Sequence, residues 1–283
     1  MVGVLTDTTA SIPPHLIQTL GIEIVPYYIH RGLETLRDMV DVQPRAFAQW
    51  LETAASLPTT SNPAPGDYLA GLRNLAARVR RILALTMTSK GSGAYQSCRA
   101  AAELMREQDP ELEIEVLDTQ QVAMAQGWAA IEAARAAARG QTLAEVARRA
   151  REVAGSGMMI QTADTLRYLY LGGRIGKAKH LVASLLNIKP LIGMQEGVIV
   201  ALGTARSRMK AYRRIAELLE EHFGARAGVK VAFTHVLAEP QLHLLRGLVT
   251  ERLECVEVLE SELSPALAVH SGPGTVGVSV IPA

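Results

Sequence analysis

Hydroxyl, imidazole and glycine residues gather in four short loops at predicted strand ends, which an open parallel sheet brings together at its carboxyl edge. These are Thr6-Asp7-Thr8-Thr9, Thr59-Thr60-Ser61-Asn62, Ser89-Lys90-Gly91-Ser92-Gly93 and His270-Ser271-Gly272-Pro273-Gly274. Neutral hydroxyls, an imidazole and backbone N–H groups suit the head group of a small anion, a carboxylate or a phosphate. The third stretch has the clearest setting. An apolar, β-prone run, Ile82 to Met87, leads into it, and a helical run, Tyr95 to Met105, leads out. Strand, Gly/Ser loop and helix together present free N–H groups and a helix N-terminus to an anion. Its glycines let backbone approach a ligand, and Ser92 adds a hydroxyl donor. An ordinary βα turn whose serine caps the helix uses the same residues, so the loop counts only with its companions.

Other chemistries find little support in the residue pattern. The seven histidines show no pair at metal-ligand spacing on one helix and no H-E-x-x-H. No Walker loop is present, and Lys90 and Ala94 stand where a nucleophile elbow around Ser92 needs glycines. With no convincing base–nucleophile pair, binding is favoured over catalysis. An acyl hydrolase or transferase acting through Ser92 is the enzymatic alternative; it requires a base within about 3.2 Å of that hydroxyl. Asp7 either polarises neighbouring hydroxyls or caps its loop. The run Arg206, Arg208, Lys210, Arg213, Arg214 reads as a solvated helix face, or as a dock for an acidic partner if it borders an acyl-binding site.

The 283 residues hold enough apolar material for one large or two smaller domains: 48% are hydrophobic and 20% charged. A net charge of +1 points to neither nucleic acid nor an anionic membrane surface. The opening residues lack the pattern of a signal peptide, and no apolar run reaches the roughly 18 residues of a membrane span. Cys98 and Cys255 read as reduced core thiols. The expectation is a cytoplasmic protein without integral membrane association.

The elements that must position the candidate residues alternate. Strands are expected at Val2–Asp7, Ile22–Ile29, Ile82–Met87 and Glu113–Thr119. Helices are expected after Ser11 as N-cap, then over Pro44–Ser56, Asp67–Val79, Tyr95–Met105, Val122–Arg139 and Thr142–Ala154. That rhythm predicts a parallel sheet with helices on both faces. Gly155-Ser156-Gly157 marks the expected boundary between a domain of residues 1–157 and one of 158–283. Beyond it come a short helix in Ala163–Leu171, a helix near Lys177–Leu186, and a hairpin of Ile188–Met194 with Val198–Leu202. A basic helix over Ser207–Phe223, strands at Val229–Thr234, Cys255–Leu259 and Val276–Ile281, and a helix over Pro240–Leu253 complete a mixed α/β half.

Six motifs, in order, resemble the DegV family of bacterial fatty-acid-binding proteins. Thr6-Asp7-Thr8-Thr9-Ala10 resembles its opening T-D-S/T, and Thr60-Ser61-Asn62-Pro63-Ala64-Pro65 its T-S-Q/N-P-x-P loop. Ser92-Gly93-Ala94-Tyr95-Gln96-Ser97-Cys98 resembles S-G-T-Y-Q-S-A. Leu169 to Ile175 matches L-x-x-G-G-R-I, and Lys189-Pro190 with Gly197, Ala205-Arg206 and Arg208 matches K-P…G…R-x-R/K. His270 to Gly274 matches H-x-G-P-G. The chain departs at Ala94, where threonine is frequent, and at Lys90-Gly91.

The resemblance implies two domains and a long-chain fatty acid as ligand, with no other cofactor. It implies that the carboxylate meets the hydroxyls of Thr60 and Ser92, with His270 nearby and Arg174 bordering. The candidate ligand-binding set is therefore Thr60, Ser61, Ser92, Gly93, Arg174 and His270. It also implies a non-enzymatic carrier that presents the acid to a separate kinase for acyl-phosphate formation in phospholipid synthesis; a lipid-sensing regulator without a kinase is the remaining alternative. Each buried methylene contributes roughly 0.8 kcal/mol, so about 15 of them give on the order of 12 kcal/mol before association costs. Head-group bonds then set orientation and specificity. With only 4% aromatic residues, a tunnel here would be lined by Leu, Ile, Val, Ala and Met.

Overall fold

The computed structural model describes residues 1–184 and 188–283. The first part interleaves strands and helices. β1 (Val2–Asp7) runs through a 3₁₀ turn (Thr8–Ala10) to α1 (Pro14–Leu20), then β2 (Glu23–Val25), β3 (Tyr28–Arg31), β4 (Glu34–Arg37), α2 (Pro44–Thr53), β5 (Thr59–Ser61) and α3 (Pro65–Ala76). β6 (Arg81–Thr86), α4 (Ala94–Gln108), β7 (Glu113–Asp118), α5 (Met124–Ala138) and α6 (Leu143–Ser156) follow.

Four strands form a fully parallel sheet in the order β2-β1-β6-β7. Its strands are apolar on both faces because helices cover both. Leu83 and Leu85 pack under α5 and α6 with Trp128 and Ile131. Ile82 and Ala84 face the other way, toward Leu72 of α3 and Ala101 of α4. The chain leaves β1 toward β2 on one side and reaches β6 on the other. β1 and β6 therefore flank the crevice where an open parallel sheet receives ligands, and the loops after both strands open there.

Pro26 changes one expectation. The strand expected over Ile22–Ile29 is two strands in two sheets, because proline has no N–H for a ladder bond. β3 pairs instead with β4 and β5 in a small antiparallel sheet. Thr59–Ser61, expected as loop, is therefore an edge strand. Ser11 does not cap α1: it closes the preceding 3₁₀ turn with φ of 51°, and Pro13 holds the N-cap position.

The second part opens with β8 (Met158–Thr162), α7 (Arg167–Leu171) and a 3₁₀ segment (Gly176–Ser184). That segment replaces the start of the helix expected near Lys177–Leu186, whose end falls outside the described residues. β9 (Lys189–Gln195) and β10 (Val198–Ala205) form the expected hairpin. α8 (Arg208–Phe223), β11 (Gly228–His235), α9 (Glu239–Thr250), β12 (Glu254–Glu262), α10 (Pro265–Ser271) and β13 (Val276–Pro282) complete the chain. The six strands order as β10-β9-β8-β13-β11-β12, antiparallel except for β11 with β12. One face of this sheet packs on Tyr212 and Ile215 of α8 and Leu242 and Leu245 of α9. The fold is the expected pairing of a parallel sheet, covered on both faces, with a mixed α/β half.

The halves are tied together. Trp128 Nε1 of α5 donates to the Ser279 carbonyl of β13 at 3.2 Å. Glu132, 3% exposed, accepts from Arg135, Arg149 and Lys230 at 2.9, 3.1 and 2.8 Å, while Arg135 also clasps Glu257 of β12. α10 crosses to the first part, where Ala266 and Val269 join the core around Tyr27 and Phe47.

Candidate functional site

A cavity of about 470 Å³ lies between the loops after β1 and β6, the edge strand β5, helix α10 and the open face of β8–β10. Its polar end is built from three elements. Ser92 stands just before α4, whose N-cap position belongs to Gly93, and its Oγ accepts from Ala94 N–H at 3.2 Å. The same Oγ lies 2.7 Å from the Tyr27 hydroxyl. Thr60, on β5, places Oγ1 2.8 Å from His270 Nε2 on α10.

The hydrogen-bond directions follow from burial. His270 Nδ1 is buried without a partner, wedged against Gly172, where a Cβ would stand 2.3 Å from it. An orphaned N–H is rarer and costlier than an unfilled lone pair. The proton therefore sits on Nε2, His270 donates to Thr60, and the Thr60 hydroxyl proton is free for the cavity. Burial, aided by the nearby Arg174 charge, pushes the His270 pKa down to about 4, so the ring stays neutral. Arg174 itself is exposed, lines the cavity and anchors Nη1 on the Gly172 carbonyl at 2.7 Å.

Beneath this end sits a buried polar cluster. Asp7, wholly buried, accepts from Thr9 N–H at 3.1 Å, from the Thr9 hydroxyl, from Gln126 at 3.1 Å and from Met87 N–H at 3.3 Å. Burial raises its pKa against the pull of those bonds. Asp7 thus holds the β1 and β6 loops together. Its neighbour Thr9 lines the cavity.

The other walls are apolar. Met159 of β8, Ile192 and Met194 of β9 and Ile199 of β10 line the cavity with Leu169 of α7 and Leu267 of α10. The hairpin turn between β9 and β10 is pinned over the cavity: Thr88 Oγ1 donates to the Gly197 carbonyl at 2.8 Å and Lys90 Nζ to the Glu196 carbonyl at 2.7 Å. A cavity of this size falls in the usual range for small-molecule sites, roughly 300–1,000 Å³. Uncharged donors at one end and apolar walls beyond can hold an amphiphile by its anionic head.

All six expected residues line this cavity. They differ in reach. The Ser61 hydroxyl turns to the His30 ring, 2.9 Å away. Gly93 serves by its missing side chain, since a Cβ there would stand 3.0 Å from Asn62 Oδ1. His270 lies in the last turn of α10, not in a strand-end loop as expected. Of the four expected strand-end loops, those after β1 and β6 hold that place. Ser92 bonds to Tyr27 and Ala94, and His270 bonds to Thr60, so the imidazole is not the base that acyl transfer through Ser92 requires. Lys189 and Arg208 pair with Asp164 at 2.7 and 2.9 Å, and Arg214 pairs with Glu217 and Glu221. Sequence reasoning missed Tyr27; the signal was Pro26, which ends one strand and swings Tyr27 toward the β6 loop. Among the described residues no His/Cys/Asp/Glu group is arranged to hold a metal ion, and no helix is long and apolar enough to cross a membrane.

Fold and site together define an α/β protein of three sheets, with a cavity that carries hydroxyl groups at one end and apolar walls beyond. The chain belongs to the DegV family: it matches the family model described as "Uncharacterised protein, DegV family" over residues 1–283. It is 30% identical over 278 residues to a DegV domain-containing protein of Clostridium perfringens, which covers 98% of each chain. Among solved structures it resembles a DegV family protein from Thermus thermophilus described as fatty-acid binding, with TM-score 0.93, 29% identity and coverage of 100% and 99%. A DegV lipid-binding protein from Thermotoga maritima aligns with TM-score 0.89, 25% identity and coverage of 99% and 98%.

Proposed function

We propose that this protein is a non-enzymatic carrier of a long-chain fatty acid. The carboxylate accepts from the hydroxyls of Ser92 and Thr60, beside the Arg174 charge, and the tail lies along the apolar walls toward Met159, Ile192 and Ile199. The observation that carries the reading is the paired donors at the polar end. Ser92 Oγ accepts from Ala94 N–H beside the Tyr27 hydroxyl and Thr60 Oγ1 accepts from His270 Nε2, so both hydroxyls can turn a proton to the cavity. Fatty-acid binding by the Thermus thermophilus relative supports the choice of ligand.

The carrier works in the cytoplasm and presents its acid to a separate kinase subunit. The carboxylate oxygen takes the terminal phosphoryl group of ATP, giving acyl phosphate and ADP for phospholipid synthesis. The family resemblance supports this partner. The division of the chain into residues 1–157 and 158–283 belongs to the same proposal and is supported by the change of sheet at β8.

The test is to denature the purified protein, extract it with organic solvent and identify the extract by mass spectrometry. A fatty acid near one-to-one stoichiometry is expected. An extract still empty after incubation with mixed fatty acids overturns the carrier reading. Acyl hydroxamate formed on adding ATP, a purified partner kinase and hydroxylamine tests the second step; a loaded carrier that yields none overturns that step alone.

A further inference from the structure

We propose that Tyr27 is a positioning residue of the head-group site: its phenol fixes the Ser92 hydroxyl as a donor aimed into the cavity, and so sets the preference for a carboxylate over an uncharged head group. The inference rests on the fatty-acid reading and deepens it. A serine hydroxyl has two lone pairs and one proton. At Ser92 one lone pair is taken by Ala94 N–H at 3.2 Å and the other faces the Tyr27 hydroxyl at 2.7 Å. The phenol is the more acidic of the two hydroxyls, and burial keeps it protonated. It therefore donates to Ser92, and the serine proton is left for the ligand.

The Tyr27 backbone makes this direction durable. Its N–H donates to Thr8 Oγ1 at 3.1 Å, and its carbonyl accepts from Asp38 N–H at 2.8 Å. The ring is packed in the core with Ile29 and Phe47. The phenol thus holds the serine rotor in one setting before any ligand arrives, and that reduces the ordering cost of binding. Hydrogen bonds to a charged acceptor are about twice as strong as neutral ones. A fixed donor therefore favours a carboxylate more than an ester. Without the phenol the Ser92 proton turns into the vacated space, and the acid loses more than the ester.

The experiment compares dissociation constants of a saturated fatty acid and its methyl ester in wild type and Tyr27→Phe, with the ¹³C signal of a carboxyl-labelled acid recorded in both. The expected result is a five- to tenfold loss for the acid, less than twofold for the ester, and a displaced carboxyl signal. Equal losses for acid and ester, or unchanged affinities with an unmoved signal, overturn the positioning role. If Tyr27→Phe does not fold, Tyr27→3-fluorotyrosine keeps the ring and strengthens the donor. A displaced carboxyl signal in that variant supports the role and an unmoved one overturns it. Wild-type protein that binds neither compound overturns the fatty-acid reading itself, an outcome distinct from all of these.

Discussion

Thr60 and His270 stand 210 positions apart in the chain, yet Oγ1 and Nε2 lie 2.8 Å from each other. The bond joins the edge strand β5 of the first part to helix α10 of the second. It makes the threonine a donor to the cavity, while burial and the Arg174 charge keep the imidazole neutral. Ser92 reaches the same state from the other side through Tyr27 and Ala94. The two donors are thus independent in construction and shared in purpose.

Replacing both donors, Ser92→Ala with Thr60→Ala, is expected to weaken fatty-acid binding by at least about a hundredfold, since a hydrogen bond to a charged group contributes about 1.5–3 kcal/mol. Thermal stability should change little, because both side chains border the cavity. Affinity measured by titration, alongside the melting temperature, checks this. Unchanged affinity in a folded double variant would show that the head group sits elsewhere.

Two buried groups titrate in opposite senses across one pH window. Burial raises the Asp38 carboxyl to about 6 from 3.8, and its Oδ1 accepts from Ala266 N–H at the start of α10. Its stabilising contribution is present below about pH 4 and is lost as pH rises to about 6. His270 lies at the other end of the same helix, lowered from 6.5 to about 4. Its contribution is present above about pH 6.5 and is lost as pH falls to about 4. At about 1.4 kcal/mol per pKa unit each is worth about 3 kcal/mol, and they oppose. Relative to wild type, Asp38→Asn should therefore lose stability as pH drops from 6.5 to 4, and His270→Gln should gain it. Urea midpoints across that range decide the matter; variants that run parallel to wild type would refute it.

Glu132 is the hub of the contact between α5, α6 and β11. Burial alone pushes its carboxyl up, but bonds from Lys230, Arg135 and Arg149 outweigh that and hold it at about 2. Glu132→Gln leaves three cations around a neutral amide, and breaking a buried pair in this way costs about 3–5 kcal/mol. A lower urea midpoint with an unchanged slope is the expected outcome. A loss under 1 kcal/mol would mean that Glu257 alone holds the cluster.

Much of this was legible in the residue pattern. Alternation of strand and helix gave the parallel sheet, and Gln195-Glu196-Gly197 gave the β9–β10 hairpin, because turn chemistry and periodicity are local signals. Thr60, Ser92 and His270 stood out by type and motif. Their roles did not. Whether Thr60 donates or accepts depends on a histidine 210 positions away and on the burial of its Nδ1, which no local pattern encodes. No local pattern marks α10, because His270-Ser271-Gly272-Pro273-Gly274 looks like a loop; the helix ends there, capped at its start by Ser264 and Asp38. Tyr27 was hidden in a run that reads as one strand until Pro26 breaks it.

The turn at Glu196-Gly197 is where entry to the cavity can be tested. Both residues have positive φ, 49° and 74°, and a Cβ on Gly197 would stand 2.6 Å from Thr88 Oγ1. Gly197→Ala therefore strains the backbone by about 1–2 kcal/mol and pushes the turn off its hydroxyl anchor. The Lys90 bond to the Glu196 carbonyl is exposed, so Lys90→Ala should act in the same direction but less. Because the turn lines the cavity without touching the Ser92 and Thr60 donors, the effect should fall on rates more than on head-group recognition. Dissociation of a bound fluorescent fatty acid is expected to accelerate several-fold in Gly197→Ala and less than twofold in Lys90→Ala, with the acid-over-ester preference retained. Dissociation at the wild-type rate in Gly197→Ala would mean that the ligand leaves past another wall, such as α7 or α10.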